Sequence, residues 1–215
     1  MKRFSAVVLI GKINRLLKDK RAAMQKRRSR LVQLPKPVKA PTTAQLKQRT
    51  RFGLASSFLK PINHIVAIGY QKVIESTTGV NAAMRSILIT AITGEFPDLV
   101  LDYPAIQIST GDLDGAYRVS VISAAGGQVI ISWEVVDYLS LGSSMTDLTT
   151  IVFYSPLKRK FVTVHRGPLR SKLTHVFQLP STYAGDNLYG WMYFSSPDGK
   201  EVSATDYLGQ VVVMD

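Results

Sequence analysis

Cysteine is absent from this sequence of 215 residues. Without a thiol, the chain cannot form a disulfide framework, a thiolate zinc site, a cysteine nucleophile or an iron–sulfur cluster. The absence does not indicate a compartment, because a chain without cysteine is compatible with reducing and with oxidising surroundings. The remaining composition is that of a globular protein, with 46% hydrophobic and 20% charged residues, and is too apolar for a fully disordered chain.

Recognisable catalytic motifs are also missing. The sequence has no phosphate loop, no dinucleotide glycine fingerprint, no His-Glu-x-x-His and no Gly-x-Ser-x-Gly. His165 and His175 are predicted on neighbouring strands and could approach each other, but no third ligand stands at metal spacing. Asp112 and Asp114 lie in a loop bounded by glycine, where capping of a turn is the ordinary alternative to calcium binding or acid–base chemistry. We therefore expect no catalytic residue, no metal site, no cofactor and no enzymatic activity.

Acidic residues are almost missing from the first part of the chain. Residues 1–60 contain 17 lysines and arginines and one acid, Asp19, whereas residues 61–215 contain 10 basic and 14 acidic residues. The net charge of +12 therefore divides into +16 and −4. The sequence describes a slightly acidic body that carries a strongly basic arm.

The basic arm, residues 1–40, is predicted to bind a polyanion. A dense cluster of cations binds nucleic acid by releasing counterions from the phosphates, without reading the base sequence. The arm contains neither tryptophan nor tyrosine, which favours contacts with the phosphate backbone over stacking on bases. A solvated, partly disordered tail is the plain alternative. The residues expected to contact nucleic acid are Lys18, Lys20, Arg21, Lys26, Arg27, Arg28, Arg30, Lys36 and Lys39.

A membrane surface is a third possible partner of the arm. Apolar residues fall roughly on one helical stripe, which would make a basic amphipathic helix that could equally pack on a protein: Ile13, Leu16, Leu17, Met24 and Leu31. The longest apolar run, Ala6 to Ile10, is far shorter than the roughly 18 residues of a membrane span. It is also short for a signal peptide, so we expect the N-terminus to remain uncleaved.

Proline and helix signals follow the arm. Residues 33–43 contain three prolines and are predicted to form an extended linker. Thr42 and Gln45 have the spacing of a capping box at the start of a helix that Pro61 interrupts. A second apolar segment covers residues 62–74, and a third helix is predicted from near Asn81 to Gly94.

From about residue 98 the apolar period changes to two. Short strands separated by turn residues, with no helical pattern between them, predict an antiparallel sandwich. The last segment is expected to break near Gly209. The predicted strands are 99–103, 105–109, 117–123, 129–134, 149–155, 160–165, 173–179, 188–195 and 202–213.

The order of landmarks over residues 113–214 resembles that of fibronectin type III and immunoglobulin-like domains. Trp133 ends an early strand and is expected in the core, and the penultimate strand leads into a hairpin containing glycine. Alternate residues of that strand are apolar on both faces: Tyr189, Trp191 and Tyr193 on one, Met192 and Phe194 on the other. The strand is therefore predicted to be central, or covered on its outer face by a helix or a neighbour.

A closer resemblance covers residues 34–214. Its motifs lie at residues 41–52, 58–62, 69–70, 93–97, 109–115 and 198–203. Together these segments resemble a family of uncharacterised proteins, a domain of unknown function common in Bacteroidota. The resemblance implies an arm, then helices, then a sandwich, and it brings no activity, cofactor or catalytic residue. That family usually opens with a glycine-rich segment bearing a Trp-Lys-Gly-like motif, whereas residues 1–32 here lack tryptophan and contain only Gly11.

These observations predict an α+β protein with a basic arm and linker (1–40), a helical segment (41–97) and an immunoglobulin- or fibronectin-like β-sandwich (98–215). We expect a non-enzymatic structural or assembly protein of the cytoplasm or of a virion, coat-like or associated with nucleic acid. Its partners would be the nucleic acid backbone, further copies of itself as a homo-oligomer, and other assembly proteins. The alternative is a cell-surface interaction module of immunoglobulin type with a membrane-associating N-terminus.

Overall fold

Helix α1 (Ala6–Leu31) forms the first part of the chain. The structure is a computed structural model that describes residues 6–31, 40–73 and 77–215. Contacts within the chain divide it into two compact units, Met1–Thr42 and Thr43–Asp215. Leucine, lysine, arginine and alanine dominate α1, and all of them favour a helix. Residues 33–39 of the predicted proline linker, which covers 33–43, lie outside the described residues.

The second unit begins with a helical layer of three helices. They are α2 (Thr43–Leu59), α3 (Asn63–Gly69) and α4 (Gly79–Thr90). Pro61 ends α2 as predicted, because proline has no backbone N–H and is tolerated only in the first turn of the helical segment that comes next. Thr78 caps α4, since its hydroxyl accepts a hydrogen bond from the backbone N–H of Asn81 at 3.3 Å.

Within the described residues 77–215, nine strands come after the helices, and every pair of neighbours is antiparallel. They are β1 (Ile92–Thr93), β2 (Val100–Leu101), β3 (Tyr117–Ala124), β4 (Gln128–Glu134), β5 (Leu148–Ser155), β6 (Lys160–Val164), β7 (Thr174–Gln178), β8 (Asn187–Ser195) and β9 (Asp206–Val212). Strands β1 and β2 pair with each other. The others form a three-stranded sheet, β3-β4-β7, and a four-stranded sheet, β6-β5-β8-β9. The predicted α+β class with an antiparallel β-sandwich is confirmed.

The predicted strand over residues 105–109 is wrong. Ile106 and Ile108 are buried, but their backbone joins no sheet. The side chain of Thr205 takes the place of a neighbouring strand, because its hydroxyl accepts from the N–H groups of Ile108 at 2.9 Å and Ser109 at 2.8 Å. The alternation of apolar residues here therefore reflects the burial of Ile106 and Ile108, and not the pairing of a strand within a sheet.

The last strand starts later than predicted. Val202 forms only an isolated bridge with Ser195, and β9 begins at Asp206. The irregularity expected near Gly209 is present as a shift of register, since Gly190 pairs with Gly209 but Trp191 pairs with Tyr207. Gly209 has a φ of 84°, a left-handed conformation that glycine adopts without the cost borne by other residues.

The four-stranded sheet is buried on both faces. One face packs against the three-stranded sheet, where Trp133 is 2% exposed, as expected. The other face packs against the helical layer. Strand β8 alternates between the two cores as predicted: Trp191 and Tyr193 face the helices, and Met192 and Phe194 face the sandwich. The helical segment thus shares a core with one face of the four-stranded sheet, and this core is separate from the one between the two sheets.

Phe58 of α2 is the main aromatic contact between the helical layer and the sheet. Its ring lies edge-on to Tyr154 at 5.2 Å, to Phe161 at 5.1 Å and to Trp191 at 5.7 Å between centroids. Each such pair contributes about 0.5–1.5 kcal/mol beyond the burial of area. A single side chain therefore joins α2 to strands β5, β6 and β8.

We expect Phe58→Ala to lower the free energy of unfolding by about 3–5 kcal/mol, because it leaves a cavity that three other rings border. Phe52 on the same helix is 52% exposed, so Phe52→Ala should change stability by less than about 1 kcal/mol. Urea denaturation of the two variants measures the difference. Equal losses would show that α2 is not anchored through Phe58.

Candidate binding surfaces

The nine cations predicted to bind nucleic acid lie in or near α1. Four are on the helix with exposed side chains: Lys18, Lys20, Arg21 and Lys26. Three are on the helix beyond the part whose side chains are described: Arg27, Arg28 and Arg30. Two lie outside the described residues: Lys36 and Lys39.

The exposed charges of α1 are not confined to one face. Each residue turns the helix by about 100°, so Lys18 and Lys20 point in nearly opposite directions. The predicted apolar stripe is interrupted, because Arg21 lies four residues after Leu17 and three before Met24, on the same side of the helix. Cations therefore surround the described part of α1.

A groove on the second unit is the other candidate surface. Its volume is about 530 Å³. Helix α2 forms one wall with Leu54 and Phe58, strand β2 forms another with Val100 and Leu101, and the floor comes from the four-stranded sheet. Aromatic walls with a few polar groups are typical of ligand sites.

The two tyrosines of the groove are held by neighbouring rings. Tyr103 stacks on Tyr189 with centroids 4.2 Å apart, and Tyr154 packs against Phe161 at 4.7 Å. Burial raises the pKa of Tyr103 to about 12, and the nearby Tyr154 and Tyr189 contribute to this. Burial also raises the pKa of Tyr154, although the charge of Arg159 opposes that effect. Both hydroxyls therefore stay protonated at neutral pH.

Arg159 is the cation of the groove. It lies in the turn between β5 and β6 and is exposed. Among the described residues it has no ion-pair partner, whereas the neighbouring Lys158 is bound at 2.6 Å to the buried carboxylate of Asp186. Arg159 is therefore available to a negative group on a ligand.

Sequence reasoning did not find this groove. The aromatic residues of the groove lie on four separate segments of the chain: Phe58, Tyr103, Tyr154 and Phe161. In the sequence, each of them has the pattern of an ordinary core residue. A local signal exists only at Arg159, where Lys158 and Arg159 occupy the turn between two strands and Lys160 begins the second of them. No spacing rule connects that turn with the aromatic residues.

The histidines are arranged differently from the prediction. His175 lies on β7 of the three-stranded sheet, whereas His165 follows β6 in the four-stranded sheet, so the two do not sit on neighbouring strands. His165 instead faces His64 of α3, with ring centroids 6.0 Å apart. Burial lowers the pKa of His165, and the charges of His64 and Arg166 lower it further. Burial alone lowers the pKa of His175.

The two aspartates of the glycine-bounded loop act as structural acceptors. Asp114 accepts from the backbone N–H of Ser140 at 2.6 Å and from its hydroxyl at 2.8 Å, and these bonds lower its pKa. Asp112 forms an ion pair with Lys72 at 2.9 Å. Within the described residues, no three His, Asp or Glu side chains are grouped closely enough to hold a metal ion.

In the described ranges 6–31, 40–73 and 77–215, no helix combines the length and the apolar character needed to cross a bilayer.

Comparison with known proteins gives a family and a set of distant structures. The sequence model described as "Family of unknown function (DUF6266)" matches residues 19–209. No curated protein matches the chain. Among solved structures, the chicken CNTN1 FN1–FN3 domains are 9% identical, with a TM-score of 0.34 over 49% of this chain and 33% of that one. The match therefore spans a third of the chain in that structure.

Two further structures show a similar level of likeness. The fn3 domain of human contactin 1 is 11% identical, with a TM-score of 0.30 over 57% of this chain and 94% of that one. A structure described as a myokine is 12% identical, with a TM-score of 0.34 over 50% of this chain and 100% of that one. The sandwich assignment rests on the strand order of the two sheets in this chain.

The half-buried histidines His165 and His175 predict a loss of stability in mild acid. Unfolded histidine takes up a proton near pH 6.5, whereas His165 and His175 do so at lower pH when the chain is folded. The unfolded chain therefore binds more protons below about pH 6.5, and the free energy of unfolding should fall from there as the pH decreases. Above that pH the effect should vanish. Urea denaturation between pH 8 and pH 5 measures it.

The variant His64→Gln tests the cause assigned to His165. It removes a like charge, so the pKa of His165 should rise in an NMR titration, while that of His175 should not move. The double variant His165→Gln, His175→Gln should be less sensitive to pH than the unaltered protein. Identical pH profiles for the two proteins would contradict this account.

Proposed function

The chain belongs to the DUF6266 family of unknown function, and from that premise we propose that the protein is a non-catalytic binding and assembly module. In this proposal, α1 binds the phosphate backbone of nucleic acid, in the cytoplasm or within a virion or coat. The β-sandwich supplies contacts between copies of the chain. The observation that carries the proposal is the distribution of exposed cations around α1.

A helix with cations on several sides is better suited to binding nucleic acid than to binding a partner with a flat surface. Lys18 and Lys20 point in nearly opposite directions, so both can be neutralised only by a partner that reaches more than one side of the helix. Each neutralised phosphate releases a counterion, which supplies affinity without sequence selectivity. The absence of tryptophan and tyrosine from residues 1–40 supports backbone contacts over stacking.

A membrane-associating N-terminus is the competing function. Leu16, Leu17 and Met24 are exposed on α1 and would be the inserting side chains. An interfacial helix needs its cations segregated from its apolar face, whereas Arg21 lies between Leu17 and Met24 on the same side. The interruption of the stripe favours nucleic acid, and vesicles of anionic lipid serve as the comparison in the test.

The outer face of the three-stranded sheet supports self-association. Ile122, Ile130 and Val176 are paired across the three strands in one row, and Ile122 is 57% exposed and Val176 47%. The rows on either side are uncharged: Ser120, Ser132 and Thr174, then Ala124, Gln128 and Gln178. Two copies can place this face together without charge repulsion, in the self-complementary manner of a two-fold interface.

The first test measures binding of unrelated 30-nucleotide DNA and RNA probes to the full-length protein at several salt concentrations. We expect similar affinities for different sequences and a steep decrease with salt. The double variant Lys20→Gln, Arg21→Gln should reduce the magnitude of the slope of log K against log salt by about 1.4, since each phosphate contact with a single strand contributes about 0.7.

The matched control for this test is Lys160→Gln, Lys200→Gln, which removes two exposed cations from the second unit and should leave the slope unchanged. Binding to phosphatidylserine vesicles in preference to nucleic acid would overturn the nucleic acid assignment. So would equal effects of the two double variants.

The second test concerns the uncharged sheet face. Ile122→Lys places a charge in its central row, and we expect the full-length protein, freed of nucleic acid, to shift from an oligomer to a monomer in light scattering. Ile89, 68% exposed on α4, gives the matched control Ile89→Lys, which should leave the mass unchanged. A monomeric unaltered protein, or dissociation by both variants, would contradict self-association through this face.

A further inference from the structure

Contacts within the protein hold the aromatic side chains of the groove in place without a ligand. Tyr154 is fixed by Phe58 and Phe161 at 5.2 and 4.7 Å between centroids, and Tyr103 is fixed by its stacking on Tyr189. Tyr103 is also held at its backbone, since its carbonyl accepts from the indole N–H of Trp191 at 3.2 Å. A ligand would therefore meet rings whose rotamers are already restricted, which lowers the entropic cost of binding.

One wall of the groove is the free edge of a two-stranded ladder. The N–H of Asp102 donates to the carbonyl of Ala91 at 2.9 Å, and Ile92 is the partner of Leu101 in the next position. Hydrogen-bonded and non-hydrogen-bonded pairs alternate along an antiparallel ladder, so the N–H and C=O of Leu101 point away from β1. Strand β2 pairs with no other strand among the described residues. An extended chain beside β2 could use these groups.

The third feature is the cation Arg159. Arg159 lines the groove, and its charge acts on the phenol of Tyr154. A guanidinium with no protein partner binds a carboxylate with two parallel hydrogen bonds in the best geometry. Charge complementarity therefore calls for an acidic group on the ligand.

We propose that this groove binds an extended, proline-containing segment of a partner protein that carries an acidic side chain. Tyr103 and Tyr154 receive the proline rings, as aromatic grooves do for polyproline helices. Leu101 offers hydrogen bonds to the backbone of the segment, and Arg159 binds its carboxylate. This site lies entirely within residues 43–215 and is independent of the polyanion binding proposed for α1.

A proline-rich segment exists within this chain, but its charge is wrong for the site. Residues 33–41 contain three prolines, and their only charged residues are Lys36 and Lys39. Placing those cations beside Arg159 would be repulsive. The chemistry of the groove therefore favours an acidic partner over the same segment of a second copy.

The test is a selection of displayed random twelve-residue peptides on the full-length protein, with moderate salt in the washes to suppress binding to α1. We expect the selected peptides to be enriched in proline and in aspartate or glutamate. Fluorescence polarisation then gives the affinity of each synthetic peptide for the unaltered protein and its variants.

The variant Arg159→Gly removes the guanidinium without straining the backbone, because Arg159 has a φ of 53°, which glycine adopts freely. Selected peptides should bind it about tenfold more weakly, as expected for loss of a charge-assisted hydrogen bond. Val100, 56% exposed, gives a second variant: Val100→Glu places an acid in the wall and should also weaken binding. The adjacent Lys160→Ala does not alter the lining and should bind the peptides normally.

Three results would overturn the proposal. The selection could yield no enriched peptide, or peptides whose affinity does not depend on Arg159. It could also yield basic peptides that resemble residues 33–41, which would assign the groove to a second copy. The double variant Lys20→Gln, Arg21→Gln should retain peptide binding, so failure here is distinguishable from failure of the nucleic acid proposal.

Discussion

Strand β8 is buried on both faces, and the second unit is arranged to satisfy that constraint. Met192 and Phe194 fill the sandwich, while Trp191 and Tyr193 point the other way and are fully buried. Without a cover, the second face would leave a large aromatic patch in water. The helical layer supplies the cover, and it also satisfies a polar group, since the hydroxyl of Tyr193 donates to the carbonyl of Ile65 at 3.1 Å. The helices are therefore a third layer of the sandwich.

The groove forms where the helical layer stops covering the four-stranded sheet. Phe58 and Tyr103 are the aromatic side chains of the cover that line the groove. The rings of both lie within 6.4 Å of Tyr154 and Trp191, measured between centroids. Between them the sheet is only partly covered, so Tyr154 retains some exposure. The stacking that stabilises the core therefore also preorganises the open site. A substitution at Phe58 would affect stability and ligand binding together. Substitutions at Arg159 and Val100, which lie outside the core, can affect ligand binding without affecting stability.

The parts of the fold that were predictable are those encoded by local patterns. The alternation of Tyr189, Trp191 and Tyr193 is visible in a few residues, and Pro61 marks its helix boundary directly. The false strand over residues 105–109 shows the limit, because Thr205, almost a hundred residues away, bonds the backbone there. The groove and the contact of His64 with His165 were not predictable either. They depend on how distant segments are placed in the fold, and not on the spacing of residues along the sequence. No sequence rule brings Phe58 next to Phe161.

The two proposed binding surfaces differ in the number of charges that they offer to a partner. In the second unit, the buried Arg170 pairs with Asp147 at 3.1 Å, and the half-buried Lys158 pairs with the buried Asp186 at 2.6 Å. These cations are therefore neutralised within the fold. Arg159, which has no such partner among the described residues, can contribute one contact. The exposed cations of α1 can contribute several at once. Affinity through α1 should therefore fall steeply with salt, and affinity through the groove only weakly, because the salt dependence counts the charges neutralised. The two surfaces suit different tasks, retention on a polyanion and recognition of a protein segment.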